Sequence, residues 1–98
     1  MNNEVFEDML ADTTEWAEYY ANDQGYVLNP NEKIRGVVLK GLAKNRYKYG
    51  EGYCPCKIVT LDFSKDEGNI CPCDNHKKDI EGNGMCHCKL FFNPNYKF

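Results

Sequence analysis

Six cysteines stand in three Cys-x-Cys pairs: Cys54-Pro55-Cys56, Cys71-Pro72-Cys73 and Cys86-His87-Cys88. All six fall between residues 54 and 88, and the first half of the chain has none. That is two thiols more than a four-coordinate metal centre needs. The excess points to a site where four cysteines hold a metal and two do something else. A chain of 98 residues buries only a modest core, and domains this small often depend on a metal or a covalent staple. How these thiols are used therefore decides much of the fold.

The redox compartment narrows the choice. The N-terminus, Met-Asn-Asn-Glu-Val-Phe-Glu-Asp, lacks the basic and apolar regions of a secretory signal and is too acidic for a transit peptide. No apolar run approaches the roughly 20 residues of a membrane helix. Hydrophobic content of 42% and charged content of 28% fit a globular chain, not a disordered one. The expectation is one complete cytoplasmic domain over residues 1–98. A reducing compartment disfavours three structural disulfides and favours metal binding or redox chemistry. A bridge within any Cys-x-Cys pair is geometrically awkward, so a disulfide would join different motifs.

Sets of four thiolates select zinc or an iron–sulfur cluster. Structural zinc sites use pairs with two to four intervening residues, which close around one ion. In a cubane cluster each cysteine holds a different iron, so ligands from three loops are natural, and the spacing favours the cluster. Pro55 and Pro72 read as loop stiffeners. His76 reads as a solvated surface residue. His87, between two cysteines, reads either as an ordinary surface histidine or as a group that hydrogen-bonds a sulfur, tunes a thiol or moves a proton.

The first segment predicts an amphipathic helix. Val5, Phe6, Met9, Leu10, Thr13, Trp16, Ala17 and Tyr20 share one face, and Gly25 suits a left-handed stop. A second helix is expected from Asn29-Pro30-Asn31-Glu32, with Asn29 as cap. Its apolar stripe would be Ile34, Val37, Val38, Gly41 and Leu42, and Gly50 and Gly52 would end it. Residues 58–63 fit a short strand or an extended connection, residues 64–69 a loop or short helical turn, and residues 74–81 a short helix. Leu90-Phe91-Phe92 is expected to pack beneath the metal site, before a turn at residues 93–95. The fold class is a small, mainly α domain whose helices and cysteine loops wrap a cluster.

Charge is segregated beneath the net −3. Residues 1–24 carry seven acids and no Lys or Arg, while residues 33–48 carry Lys33, Arg35, Lys40, Lys44, Arg46 and Lys48 and no acid. A short basic stretch in an acidic chain argues against nucleic acid and fits an acidic protein partner.

Cys-Pro-Cys-Lys, Cys-Pro-Cys, and Cys-His-Cys followed by Leu90-Phe91-Phe92 and Asn93-Pro94 resemble the catalytic (beta) chain of ferredoxin:thioredoxin reductase. Gly50-Glu51-Gly52-Tyr53 resembles the family's approach to its first motif. The loops between motifs differ by a few residues from the plant and cyanobacterial pattern, as in a divergent archaeal or anaerobic-type member. The resemblance implies that Cys54, Cys71, Cys73 and Cys86 ligate a [4Fe-4S] cluster and that Cys56 and Cys88 form a redox-active disulfide beside it. It further implies ferredoxin as one-electron donor, thioredoxin as acceptor, a possible variable subunit, and His87 as proton donor or acceptor. Cys56 would attack the target disulfide and Cys88 would resolve it. Other readings are a ferredoxin-dependent reductase of another protein or small-molecule disulfide, a structural zinc module, and a simple electron carrier.

Overall fold

The computed structural model describes residues 3–97, so Phe98, which closes the C-terminal segment, lies outside the described residues. The fold is mainly helical. Helix α1 spans Asn3–Gln24 and α2 Glu32–Tyr49; the cysteine half holds the short α3, Phe63–Asp66, a 3-10 turn, Glu67–Asn69, and α4, His76–Asn83. Two short strands, β1 (Val27–Leu28) and β2 (Phe91–Phe92), pair antiparallel with Val27 opposite Phe92 and Leu28 opposite Phe91.

Helix α1 buries the expected face. Thr13, Ala17 and Ala21 are buried, and Leu10, Trp16 and Tyr20 pack against the core, whereas Val5 is exposed. Gly25 stops the helix at φ +74°, a conformation glycine adopts without Cβ strain. The strand that follows ties this turn to the third cysteine motif.

Helix α2 differs from expectation in two ways. Its cap is Asn31, whose side-chain oxygen accepts from the N–H groups of Lys33 and Ile34, both at 3.1 Å. Asn29 is instead buried: its Nδ2 donates to the Lys89 carbonyl at 3.0 Å and its Oδ1 accepts from the Asn31 N–H at 2.9 Å. The residue expected as a cap thus fastens the start of α2 to the loop after Cys88. The apolar stripe is also rotated. Val38, Leu39, Leu42 and Ala43 are buried, while Ile34 and Val37 are exposed. The contacts of α1 and of the cysteine loops set which side of α2 turns inward, and a stripe of valines and leucines on three sides leaves that choice open. Gly50 ends the helix at φ +80°, its N–H bonded to the Arg46 carbonyl.

The core joins Ala17 and Ala21 of α1, Val38, Leu39 and Leu42 of α2, Ile80 of α4, and Cys86, Leu90 and Phe91. Phe91, Leu42, Ile80 and Leu90 are fully buried, each contributing about 1.5–3 kcal/mol of transfer free energy. Leu90, Phe91 and Phe92 are buried, with the Phe91 carbonyl bonded to the Cys86 N–H of the third motif. Residues 58–62 form a connection without a strand, turning at Leu61 (φ +69°), and Phe63 already opens α3. Asp62 then caps α3 by accepting from the Ser64 N–H at 3.1 Å.

Candidate active site

Backbone pairing brings the three motifs together. The Cys54 N–H donates to the Asn69 carbonyl at 2.7 Å, the Cys71 N–H donates to Gly52 at 2.8 Å, and Tyr53 bridges Ile70 antiparallel. The first two motifs thus enter side by side. The third is a tight loop on β2: the Cys86 N–H donates to the Phe91 carbonyl, and the Lys89 N–H to that of Cys86, both at 2.9 Å. Lys89 itself stands at φ +63°. The Cys71–Pro72 peptide is cis.

The first motif is pressed onto α2 at a glycine. A Cβ at Gly41 would lie 2.8 Å from Pro55 Cβ and 2.9 Å from its Cγ. Only a residue without a side chain lets the Cys54-Pro55-Cys56 loop lie this close to the helix.

All six cysteines are free thiols, and they divide by exposure. Cys54, Cys73 and Cys86 are 2, 6 and 3% exposed, Cys71 and Cys88 are half-buried, and Cys56 is on the surface. Cys88 Sγ lies 3.8 Å from Cys86 Sγ, and the thiols of Cys54, Cys71 and Cys88 are close enough to perturb one another's ionisation. Cys73 is within electrostatic reach of Cys86 and Cys56. His87, between Cys86 and Cys88 in the chain, is exposed.

The electrostatics mark Cys86. Its hydrogen bond with Cys88, followed by the N–H groups of Phe91, Leu90 and Cys88, overcomes burial and lowers its pKa to about 6. The Phe91 N–H donates to the sulfur at 3.3 Å. The neighbouring Cys71 thiol and burial push Cys54 up, and the Cys54 thiol pushes Cys88 up. At Cys71 the Cys54 thiol works to lower the pKa, but the Cys88 thiol and burial prevail and raise it. Burial raises Cys73. Several thiols packed together cannot all ionise unaided, and a bound cation reverses that balance.

His76 corrects the sequence reading. It is 8% exposed, not solvated. Its backbone N–H and its Nδ1 both donate to the Cys73 carbonyl, at 3.0 and 2.7 Å, and its Nε2 meets the Tyr20 hydroxyl. A carbonyl only accepts, so Nδ1 carries the proton; in the neutral ring Nε2 then accepts from Tyr20. Burial, then Tyr26 and Cys71, push the Tyr20 phenol up, which keeps it a donor. The available signal was the three-residue step from Cys73 to His76 at the start of a helix.

Asp66 was also missed. It is buried and accepts from the Thr60 N–H at 3.0 Å, the Thr60 hydroxyl at 2.8 Å and the Leu61 N–H at 3.0 Å. Burial works to raise its pKa, and these donors outweigh it and hold the carboxyl below the usual range. A cavity of about 400 Å³ runs between α1 and α2 down to Cys71, lined also by Asp12, Trp16 and Arg46.

Among the described residues, no three His, Cys, Asp or Glu side chains are arranged to hold a single metal ion. The fit to a multi-iron cluster rests on donor chemistry: an all-sulfur set from three loops, largely buried, with backbone N–H groups aimed at one sulfur. Those residues fit such a group.

The model of the family described as ferredoxin thioredoxin reductase catalytic beta chain matches residues 3–97. The chain belongs to this family. Among its relatives, the ferredoxin-thioredoxin reductase catalytic chain of Porphyra purpurea is 32% identical over 96 residues, covering 95% of this chain and 77% of the relative. That of Guillardia theta is 31% identical over 98 residues, covering 97% and 91%. The chloroplastic catalytic chain of Arabidopsis thaliana is 33% identical over 86 residues, covering 85% of this chain and 56% of the relative. Family membership extends over both helices as well as the motifs, so the helical base and the cysteine loops belong to one catalytic-chain fold. No helix among the described residues is long and apolar enough to cross a membrane.

Proposed function

We propose that this chain is a ferredoxin-dependent disulfide reductase that holds a [4Fe-4S] cluster through Cys54, Cys71, Cys73 and Cys86 and works through a Cys56–Cys88 dithiol/disulfide. The observation that carries the reading is the division of the two surplus thiols. Cys88 is half-buried with its sulfur 3.8 Å from that of Cys86, whereas Cys56 is exposed. This difference in burial supports a reading in which Cys88 exchanges with the metal group and Cys56 with a partner.

When bound, the cluster would supply electrons one at a time beside the disulfide. Two electrons from two reduced ferredoxins and two protons convert the Cys56–Cys88 disulfide to two thiols. Cys56 attacks the target disulfide, forming a mixed disulfide and releasing one target thiolate. Cys88 then attacks the Cys56 sulfur, which releases the second target thiolate and restores the resting bridge. His87, next to Cys88, donates or accepts the proton at the Cys88 sulfur. A ferredoxin near −400 mV and a thioredoxin near −270 mV differ by about 130 mV, or roughly 6 kcal/mol for two electrons. The reaction runs downhill, so the site's task is to split electrons.

Ferredoxin as donor, thioredoxin as acceptor and a variable second subunit are carried over from the family name and the sequence resemblance. The cytoplasm is carried over as an expectation of the sequence reading. The test is anaerobic purification followed by iron and sulfide analysis, then ferredoxin-driven reduction of thioredoxin. A colourless protein with zinc and neither iron nor sulfide would sink the proposal.

A further inference from the structure

The chain leaving the first motif does something unusual. Ile58, Leu61 and Phe63 are 87, 80 and 58% exposed, an apolar display starting two residues after the exposed Cys56. Leu61 stands at φ +69°, a conformation that costs a residue with a Cβ. The buried Asp66 carboxylate holds it there, through the Thr60 and Leu61 N–H groups and the Thr60 hydroxyl. The loop is thus braced from beneath while its apolar side chains face out. Behind them lies a cavity of about 200 Å³, lined by Tyr49, Tyr53, Val59, Leu61 and Phe63 above Asp66. At about 200 Å³ this open recess has room for one apolar side chain.

We propose that this Asp66-braced loop and its tyrosine-walled cavity are the docking site for the disulfide-bearing substrate protein, which inserts an apolar side chain there as its disulfide meets Cys56. The inference rests on the reading of Cys56 as the attacking thiol. Position identifies the occupant. A standard interface buries about 800 Å² per partner, a disc of about 16 Å radius. Ile58 lies at most about 8 Å from Cys56 along the backbone. A folded protein that reaches Cys56 therefore covers Ile58 and abuts the cavity, whose wall includes Tyr53, adjacent to Cys54. Around the buried Asp66 carboxylate, whose charge is taken up by the N–H groups it accepts from, the remaining charges of the loop, Lys57, Asp62, Lys65 and Glu67, balance in sign. Recognition here is apolar, with shape in place of charge steering, and so depends little on salt.

Leu61→Asn removes the apolar side chain with a residue that tolerates positive φ, and Ile58→Ser alters an exposed position, so the double variant keeps the fold. The cluster-loaded double variant is compared with wild type, with reduced ferredoxin as donor and either oxidised thioredoxin or dithiobis(nitrobenzoate) as acceptor. The expected result is a KM for thioredoxin raised at least tenfold, kcat within twofold, and small-disulfide reduction within twofold. An unchanged thioredoxin KM overturns the docking site. So does an equal loss with both acceptors, which would make the loop a support for Cys56 chemistry. A changed native mass with unchanged KM also overturns it and makes the patch a subunit contact. Wild-type protein that reduces neither acceptor overturns the reading of Cys56 itself, and the docking site with it.

Discussion

The Tyr20–His76 contact lends itself to a double-mutant cycle. Tyr20→Phe removes the hydroxyl that donates to Nε2 and leaves a buried ring nitrogen without its partner. A buried acceptor left unmade costs about 1–3 kcal/mol. His76→Phe keeps a ring in the site but loses two bonds, the one to Tyr20 and the Nδ1 bond to Cys73. The Cys73 carbonyl keeps the His76 backbone N–H, and Tyr20 is half-buried and reaches water, so each lost bond costs only about 0.5–1.5 kcal/mol. His76→Phe should therefore destabilise by about 1–3 kcal/mol. In the double variant neither unpaired group remains, so its cost falls short of the sum by about 1 kcal/mol. At roughly 4–8 °C per kcal/mol for a chain of this size, thermal melts followed by circular dichroism resolve that coupling. Strict additivity of the two single variants would refute the argument that these groups are a bonded pair bracing the Cys73 turn.

Three further outcomes follow from the packing. Gly41→Ala drives a methyl into Pro55 and should cost about 1–3 kcal/mol by overpacking, whereas Gly36→Ala meets nothing within 4 Å and should stabilise α2 by about 0.5–1 kcal/mol; paired melts check both. Asp66 has a depressed folded pKa, so its contribution is present above the unfolded value of about 3.9 and is lost as pH falls through the lower folded value. Melting curves of wild type and Asp66→Asn should thus differ at neutral pH and converge in acid. Stripping the metal group with a chelator under oxidising conditions should lower the melting midpoint markedly, because the thiols contribute buried faces to a small core; an unchanged midpoint would contradict that.

The parts legible in the sequence are those written in local signals. Gly25 and Gly50 mark their helix ends because only glycine takes a left-handed residue without strain. The α1 face follows from periodicity, and the cysteine motifs name their chemistry by residue type. Other features depend on residues far apart in the chain. The pairing of Val27-Leu28 with Phe91-Phe92 spans most of it, and two-residue strands carry no alternation to read. His76 looks like a surface histidine in a polar stretch until Tyr20, 56 residues away, closes over it. The brace at Asp66 depends on a backbone turn at Leu61 that no turn residue announces. At α2, apolar residues on several sides allowed the stripe to be placed one step off, and close approach of Pro55 to Gly41 helps to fix it.

The central claim is the division of six thiols into four ligands and two redox sulfurs, and it is most exposed at Cys73 and Cys88. Iron and sulfide content of anaerobically purified Cys73→Ser and Cys88→Ser should be measured beside ferredoxin-driven thioredoxin reduction. The account predicts that Cys73→Ser loses the cluster, while Cys88→Ser keeps its iron and sulfide and loses disulfide reduction. Retention of the cluster in Cys73→Ser together with its loss in Cys88→Ser would contradict the account.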